Sequence, residues 1–393
     1  MRGARVAVTG VGVVAPCGTG ADAFWDGLGV PVEPADRRAV EDWDPEPWFD
    51  NPKEARRTDR FAQFAMAAAD MALEQAGDLA ADPERSGVLI GTGVGGLNTL
   101  ENGVQIYYTK GARRVSPFLV PMMMANAAAA SVSMRHGWRG PCETISTACA
   151  AGTHSIANAA LLIASGRCEV VLAGSAEAAL TPTAIQGFIN MTATSSSGRS
   201  CPFDADRDGF VIAEGAGVLV LEEMERALAR GATVLAEVLG GASTADAHHI
   251  TAPAPGGSGA VSCMEQALAA AGVAASAVGQ INAHGTSTPL NDAAEAEAIA
   301  KVFGTPGPPV TSIKGVTGHS LGAAGALEAV ASVLSIQKRL IPPTMGFERL
   351  DPELPPIDVV AGRARPWDPA PLLSNSFGFG GHNGCLVFGP PVS

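Results

Sequence analysis

The chain has 393 residues, of which 47% are apolar and 17% are charged, and its formal net charge is −13. This composition is typical of a folded protein with a large core and excludes wholesale disorder. The negative charge disfavours bulk binding of nucleic acid, so an acidic partner would need a local basic patch. The length favours two or three domains, or one duplicated pair.

The seven cysteines form no Cys-x-x-Cys pair. Their odd number and spacing disfavour a zinc site and fit a reducing compartment. Residues 1–5 lead directly into a strand pattern, without the apolar region of a signal peptide. The longest apolar stretch without charges, residues 115–134, contains two prolines, and we expect a buried core segment rather than a membrane span. We therefore expect a soluble cytoplasmic protein that needs no metal, cofactor or membrane.

Strand patterns alternate with alanine-rich helical patterns along the chain. In the first half, the predicted elements in chain order are a strand at 5–14, a helix at 61–75, strands at 88–90 and 142–146, a helix at 149–165, and strands at 170–174 and 215–222. In the second half they are strands at 234–240 and 280–283, a helix at 292–302, a strand at 310–313, a helix at 322–337, and strands at 372–375 and 384–389. This alternation predicts the α/β class with mostly buried strands. Residues 28–51, rich in proline and acidic groups, are predicted to be an irregular surface excursion.

Cys149 is the first candidate for chemistry. It follows a predicted strand and a two-residue turn, and it opens a predicted helix. Because a helix N-terminus stabilises an anion, we expect its thiolate to be favoured. A small buried core cysteine is the alternative interpretation.

Two histidines and a glycine-rich segment lie at equivalent positions of the pattern. His284 and His319 each follow a predicted strand, and functional groups of α/β folds gather at the C-terminal ends of strands. Each histidine alone is more often a satisfied polar residue, but three such placements with Cys149 favour a catalytic site. Residues 377–383 read Phe-Gly-Phe-Gly-Gly-His-Asn, which indicates either a tight hairpin or backbone N–H groups brought close to a ligand.

Six motifs, which lie between residues 8 and 384, carry a family resemblance. They are VTGVGVVAPCG near the start, STACAAG around Cys149, PFDADRDGFVIAEGAG at 202–217, NAHGTSTPLND at 282–292, SIKGVTGHSLGAAGA at 312–326 and NSFGFGGHNG at 375–384. In this order they resemble the β-ketoacyl-acyl-carrier-protein synthases of the elongating, type II class, which include ketosynthase subunits of type II polyketide synthases. The resemblance implies a thiolase-like α/β fold of five layers (αβαβα) with two pseudo-duplicated halves. Residues 1–240 would carry the cysteine and residues 241–393 both histidines.

The resemblance also implies roles for individual residues. Cys149 matches the nucleophile that takes up the acyl chain. His284 and His319 match the pair that promotes malonyl decarboxylation and stabilises the enolate. Lys314 matches a lysine that orders the site, and Glu295 matches a carboxylate that supports Lys314.

Further residues match the substrate path of the family. The backbone N–H groups of Cys149 and Phe379 match the oxyanion hole, and Phe379 also matches the gate between the two half-reactions. The remaining residues implied in substrate binding are the pantetheine-binding Thr286 and Thr288 and the tunnel residues Val94, Phe188 and Phe377.

The implied reaction is a decarboxylative Claisen condensation of the acyl chain on Cys149 with malonyl-acyl carrier protein, which extends the chain by two carbons. The second histidine, His319, sets the chain apart from initiating synthases, which carry His and Asn, and from degradative thiolases, which carry a second Cys. A catalytically silent, chain-length-factor-like subunit is the alternative, and the presence of Cys149 disfavours it. The fatty-acid and polyketide pathways stay open, as do a homodimer and a heterodimer with a chain-length-factor homologue.

The implied partner is an acyl carrier protein, whose surface is acidic. The densest cationic cluster, which matches a family docking region, consists of Lys53, Arg56, Arg57 and Arg60. A second cluster consists of Lys110, Arg113 and Arg114. An ordinary solvated face is the alternative interpretation of either cluster.

Overall fold

The computed structural model describes residues 3–391. Its strands are β1 (Val6–Ala15), β2 (Gly18–Thr19), β3 (Arg37–Arg38), β4 (Ser86–Gly91), β5 (Cys142–Glu143), β6 (Val170–Glu177), β7 (Ile212–Ala213), β8 (Gly215–Glu223), β9 (Ala236–Ala245), β10 (Gln280–Asn282), β11 (Val310–Thr311), β12 (Leu340–Ile341), β13 (Arg365–Pro366), β14 (Leu372–Gly378) and β15 (His382–Gly389).

The α-helices are α1 (Ala21–Gly27), α2 (Pro52–Ala55), α3 (Arg60–Ala76), α4 (Leu97–Lys110), α5 (Leu119–Met123), α6 (Ala127–His136), α7 (Ala151–Ala164), α8 (Pro182–Asn190), α9 (Met224–Ala229), α10 (Ser258–Ala271), α11 (Pro289–Phe303), α12 (Lys314–Thr317) and α13 (Ala324–Lys338). Short 3₁₀ helices lie at Glu46–Trp48, Pro83–Arg85, Ala112–Arg114, Ala148–Ala150, Pro255–Gly257, Ala275–Ala277 and Leu321–Ala323.

The main sheet repeats one strand order twice. Its path is β5-β4-β6-β8-β1-β9-β15-β14-β10-β11, and β1 meets β9 over only two residue pairs. On one side of that junction, β1 runs antiparallel to β8, and β8 runs antiparallel to β6. On the other side, β9 runs antiparallel to β15 in the same way, and β15 runs antiparallel to β14. Two parallel strands complete each side, β4 and β5 next to β6, and β10 and β11 next to β14. This repeat is the pseudo-duplication that the sequence predicts; the residue 240 boundary lies inside β9.

Helices complete five layers. The outer helices α3 and α6 cover the first part of the sheet, and α10 with α11 beside it covers the second. Between the two parts, α7 and α13 pack against each other and against strands of both. The largest buried cluster surrounds this central pair, so the helices that follow Cys149 and His319 lie at the centre of the core. The predicted αβαβα fold is confirmed.

Strand β1 shows how the sequence sets the layers. Val6 and Val8 point into the central cluster, whereas Gly10 and Gly12 lie against α3. A Cβ on Gly12 would lie 1.9 Å from the carbonyl oxygen of Ala68, so the helix can approach the strand only because this residue lacks a side chain. The valine–glycine alternation of the first motif therefore brings α3 close to the sheet.

Some local predictions were wrong. The strand predicted at 142–146 is only Cys142–Glu143, and the helix predicted from residue 149 begins as the 3₁₀ turn Ala148–Ala150. Residues 115–134 are not a buried core segment, since Val120 is 54% exposed and Met134 is 76% exposed. The sequence pattern also missed α4, whose asparagines and glycine hide the helical period and which buries little of its surface.

The proline-rich residues 28–51 are irregular, as predicted, but they are not confined to the surface. They contribute β3, which pairs in parallel with β7, and they bury Arg38, Val40 and Phe49. Among residues 3–391, no helix combines the length and apolar character that crossing a bilayer requires.

Candidate active site

The Cys149 side chain is buried in the 3₁₀ turn that leads into α7. The preceding Ala148 has a φ of 49°, a left-handed conformation that is strained for a residue with a side chain. Gly378 lies against this turn: a Cβ there would be 2.9 Å from the Thr147 carbonyl oxygen and 3.1 Å from the Cys149 nitrogen. The turn and the glycine-rich segment are thus packed together, which directs the sulfur towards the second half of the chain.

His319 contacts the sulfur directly. Its Nε2 lies 3.0 Å from Cys149 Sγ. Its backbone is held on the segment that contains β7, because His319 N–H donates to the Val211 carbonyl and His319 C=O accepts from Ala213 N–H. The ring packs edge-on against Phe210, with centroids 5.2 Å apart. Both backbone and ring therefore fix the imidazole beside the thiol.

His284 completes the group from the end of β10. Its ring lies 5.4 Å from that of His319, centroid to centroid. The Lys314 Nζ lies 3.3 Å from His284 Nδ1 and also donates to the His284 carbonyl oxygen. Because an ammonium group can only donate, Nδ1 is the acceptor and the imidazole proton lies on Nε2. His284 therefore offers an N–H donor, as the family resemblance implies.

The carboxylate partner of Lys314 differs from the prediction. Glu295 does not contact Lys314; its two oxygens accept from the backbone N–H groups of His284 and Gly285, at 2.8 and 2.7 Å, and it also accepts from Asn375. The residue that pairs with Lys314 Nζ is Glu328 on α13. Glu295 thus fixes the loop that carries His284, while Glu328 supports the lysine.

Burial is the main cause of the pKa shifts of Cys149, His284 and His319. It raises the pKa of the Cys149 thiol to about 11, although the Lys314 ammonium and the Phe379 N–H group act in the opposite direction. The thiolate expected from the helix N-terminus was therefore wrong for the resting site. Burial, followed by the Lys314 charge, lowers the pKa of His284 and of His319 well below the usual value. At neutral pH the site consists of a thiol and two neutral imidazoles.

The side chains of Cys149, His284 and His319 line a cavity of about 430 Å³. The predicted substrate-binding residues Val94, Phe188, Thr286, Thr288 and Phe377 all line it. The hydroxyl groups of Thr286 and Thr288 lie 2.9 Å apart, next to Leu290, which is 66% exposed at the surface. Because the lining is mostly apolar around a few polar groups, the cavity suits an acyl chain on a polar arm.

The predicted oxyanion donors lie at the nucleophile. The Phe379 backbone N–H acts to lower the pKa of the Cys149 thiol, and Phe379 lines the cavity. Cys149 Sγ and one ring nitrogen from each histidine lie within 4.8 Å of one another, close enough to bind a soft metal ion. However, the neighbouring Lys314 ammonium opposes a cation at this position.

The predicted docking cluster is only partly available. Arg60 is half-buried and forms a two-pronged ion pair with Glu214, through Nε–Oε2 at 3.0 Å and Nη2–Oε1 at 2.6 Å. Lys53, Arg56 and Arg57 are exposed. The Arg57 guanidinium lies 4.3 Å above the ring of Phe118, which places it beside the segment that carries Arg113 and Arg114. We call the six residues Lys53, Arg56, Arg57, Lys110, Arg113 and Arg114 the basic surface.

Two buried carboxylates escaped the sequence analysis. Glu328 is the one charged residue in the buried part of α13, residues 324–336, and Glu177 ends the buried strand β6. A charge in such a run needs a partner, which is a usable sequence signal. Glu177 accepts from the backbone N–H groups of Gly93 and Gly322 and from Thr92, so it links the Val94 loop to the turn after His319.

Comparison with protein families matches both parts of the chain. Residues 33–227 match the beta-ketoacyl synthase N-terminal domain, and residues 235–348 match the beta-ketoacyl synthase C-terminal domain. The chain is 44% identical over 409 residues to 3-oxoacyl-acyl-carrier-protein synthase 2 of Synechocystis, covering 98% of this chain and 97% of that protein. It is 42% identical over 410 residues to the protein of the same name from Vibrio cholerae, covering 98% of each.

Solved structures agree with these matches. The structure described as the ishigamide ketosynthase/chain length factor has a TM-score of 0.92 and 33% identity, and the match covers 99% of this chain and 100% of that one. A beta-ketoacyl synthase from Burkholderia phymatum has a TM-score of 0.90 and 34% identity, with the same coverage. The resemblance drawn from the six motifs is confirmed, and the chain belongs to the β-ketoacyl synthase family.

Proposed function

We propose that this chain is a 3-oxoacyl-acyl-carrier-protein synthase that extends an acyl chain by two carbons. The observation that carries the proposal is the 3.0 Å contact between Cys149 Sγ and His319 Nε2 inside a cavity that also contains His284. A nucleophile, a neighbouring base or donor, and a second donor within one apolar pocket are the groups that thioester condensation needs. A silent chain-length-factor-like subunit would have no use for this arrangement.

In the first half-reaction, the Cys149 sulfur attacks the thioester carbonyl of acyl-acyl carrier protein. Since the thiol pKa is about 11, its proton moves towards His319 Nε2 as the carbon–sulfur bond forms. The backbone N–H groups of Cys149 and Phe379 stabilise the oxyanion. The tetrahedral intermediate then collapses, the bond to the carrier thiol breaks, and that thiol takes up the proton.

In the second half-reaction, the carbon–carbon bond to the malonyl carboxylate breaks and carbon dioxide leaves. The electron pair becomes an enolate on the malonyl thioester, and neutral His284 donates its Nε2–H to the enolate oxygen. His319 donates to the same oxygen as the neutral tautomer with its proton on Nε2. The enolate carbon attacks the acyl carbonyl on Cys149. Cleavage of the acyl–sulfur bond releases the 3-oxoacyl product on the carrier, and the Cys149 sulfur takes up one proton from solvent by way of His319 Nε2.

The carrier would dock on the basic surface. The carrier surface is acidic and this chain has a net charge of −13, so docking needs a local cluster of positive charges. We assign residues 1–240 to a half that supplies the nucleophile and residues 241–393 to a half that supplies both histidines; residues 1, 2, 392 and 393 lie outside the described residues.

The unpaired state of all seven cysteines supports a cytoplasmic location. The same chemistry serves fatty-acid and polyketide chains.

The two half-reactions can be tested separately with His284→Ala and His319→Ala. Acylation of the enzyme is followed by intact mass, and malonyl decarboxylation by release of labelled carbon dioxide. His284→Ala should lower decarboxylation about 10²–10³-fold and spare acylation, because His284 does not contact the sulfur. His319→Ala should slow both steps. The proposal assigns His284 to decarboxylation only. It would be contradicted if folded His284→Ala lost both half-reactions equally.

A further inference from the structure

Arg38 contacts the backbone of the turn that connects Lys314 to His319. It lies in the irregular segment 28–51, and its side chain is buried, with 8% exposed. The guanidinium Nη1 donates to the carbonyl oxygens of Gly315 and Val316, at 2.7 and 2.6 Å, and lies 3.5 Å from that of Lys314. Among residues 3–391, no carboxylate forms an ion pair with Arg38, and the Arg38 Nε is buried without a hydrogen-bond partner.

The three carbonyls belong to α12, the single turn that separates Lys314 from His319. The last carbonyl groups of a helix have no partner within the helix, and a cation near them is favourable. Gly318, which ends this turn, has a φ of 68°, and a Cβ there would lie 3.5 Å from Arg38 Cδ. The Arg38 side chain thus caps the turn with its charge and packs along it with its stem.

The Arg38 backbone pairs with β7, the strand that binds the backbone of His319. β3 pairs in parallel with β7, with Arg38 opposite Ala213. The Ala213 N–H in turn donates to the His319 carbonyl oxygen at 2.9 Å. Segment 211–213 is therefore held between Arg38 on one side and His319 on the other.

We propose that Arg38 is a positioning residue, which fixes the α12 turn so that Lys314 and His319 face His284 and Cys149 together. Burying a guanidinium without a carboxylate carries a large desolvation cost, so a simple packing role would be served better by an apolar side chain. Burial lowers the pKa of Arg38 to about 10, and the group therefore stays charged at neutral pH. The proposal rests on the proposed function.

The test compares Arg38→Met, Arg38→Lys and Arg37→Met. Arg37 lies on the same strand with its side chain exposed, so it is the matched control. The rate of condensation is expressed per Cys149 that can be acylated, which corrects for unfolded protein. Arg38→Met should lower kcat per site about ten- to a hundredfold with little change in KM for malonyl-acyl carrier protein, because Arg38 does not touch substrate. Arg38→Lys should recover part of kcat, and Arg37→Met should match the unsubstituted enzyme.

A merely structural role would lower the number of sites that can be acylated without changing kcat per site. Arg38→Met with kcat per site within twofold of the unsubstituted enzyme would overturn the proposal. If Arg38→Met does not fold, Arg38→Lys decides, since full retention of kcat per site there would show that the guanidinium is dispensable. Failure of the unsubstituted enzyme to condense substrates would refute the proposed function instead.

Discussion

At the scale of single residues, Lys314 connects the reactive groups to the core. Its ammonium contacts His284 through both Nδ1 and the carbonyl oxygen, and it pairs with Glu328 on α13. Lys314 and Glu328 are each 1% exposed, so neither charge is solvated by bulk water. Burial raises the pKa of Glu328 to about 7, opposed by the Lys314 charge. The Lys314 charge therefore favours the charged form of Glu328.

A double-mutant cycle measures this dependence. Lys314→Met or Glu328→Gln alone leaves a buried group without its partner, and each should lower the free energy of unfolding by about 3–5 kcal/mol. The double variant should lose less than the sum, with a coupling energy of about 2–3 kcal/mol from urea unfolding.

Lys314→Met combined with Glu295→Gln is the control, because Glu295 binds backbone N–H groups rather than the lysine. We expect its coupling energy to be smaller than that of the Lys314–Glu328 pair, because Lys314 and Glu295 are linked only through His284. A larger coupling with Glu295 than with Glu328 would contradict the assignment of the lysine partner.

The histidines should resist protonation. An ordinary histidine titrates near pH 6.5, but burial and the Lys314 charge lower the pKa of both His284 and His319. A lowered pKa means that both rings stay neutral as the pH falls through 6.5. Nitrogen-15 spectra of labelled enzyme, assigned with His284→Ala and His319→Ala, should show no inflection for either ring between pH 8 and 6. An inflection near 6.5 for either ring would mean that this ring is solvated.

At the scale of elements, the sequence predicted the reactive residues and not their support. Cys149, His284 and His319 follow strands, where functional groups of α/β folds gather. Strands β5 and β11 lie at opposite ends of the main sheet, so the packing of α7 against α13 is what brings Cys149 and His319 together. Glu328 could not be assigned to Lys314, because that pairing depends on how α13 lies beside α12. The Cys149 pKa was wrong in direction, because the helix position is local whereas burial depends on the whole fold. Arg38 was missed because nothing in an irregular segment indicates which arginine points inward.

The basic surface makes a prediction about carrier docking. Arg56→Glu combined with Arg113→Glu should raise KM for acyl-acyl carrier protein about tenfold at low salt, because surface charges act mainly on association. Turnover of a small pantetheine thioester should stay unchanged, since it needs only the cavity. Steady-state kinetics at two salt concentrations measure both.

The matched control is Arg167→Glu, which reverses an exposed charge beyond the far end of α7. That helix has 14 residues and is thus about 21 Å long, so the change lies far from the cavity mouth. Should Arg167→Glu raise KM as much as the double reversal, the effect would come from net charge and not from docking.

At the scale of the whole molecule, four large apolar side chains on three neighbouring helices are exposed, and we call them the apolar face. Tyr108 is 81% exposed, and Val104, Val120 and Met134 are also exposed. They lie on α4, α5 and α6, which contact one another in that order, and α6 contacts β5, the end strand of the main sheet. Apolar patches and open sheet edges of this kind mark protein interfaces. This face explains why residues 115–134 look like core in sequence.

We expect this face to bury itself against a second chain. The purified protein should have twice the chain mass of 39.8 kDa by light scattering. Val104→Asp with Val120→Asp should shift it to the monomer, because two charges would be buried in the interface. Leu228→Asp, at a residue that is 49% exposed on α9, is the control and should leave the mass unchanged. A monomeric unsubstituted protein would show that the partner is a different chain or that the face has another use.

The central claim is that Cys149 accepts the acyl chain, and intact-protein mass spectrometry tests it most directly. Incubation with acyl-acyl carrier protein should add the mass of one acyl group per chain, and peptide mapping should place it on Cys149. Cys149→Ala should give no adduct, whereas Cys142→Ser, which removes an exposed cysteine, should be acylated like the unsubstituted enzyme. An adduct that persists in folded Cys149→Ala, or that maps to another cysteine, would contradict the account.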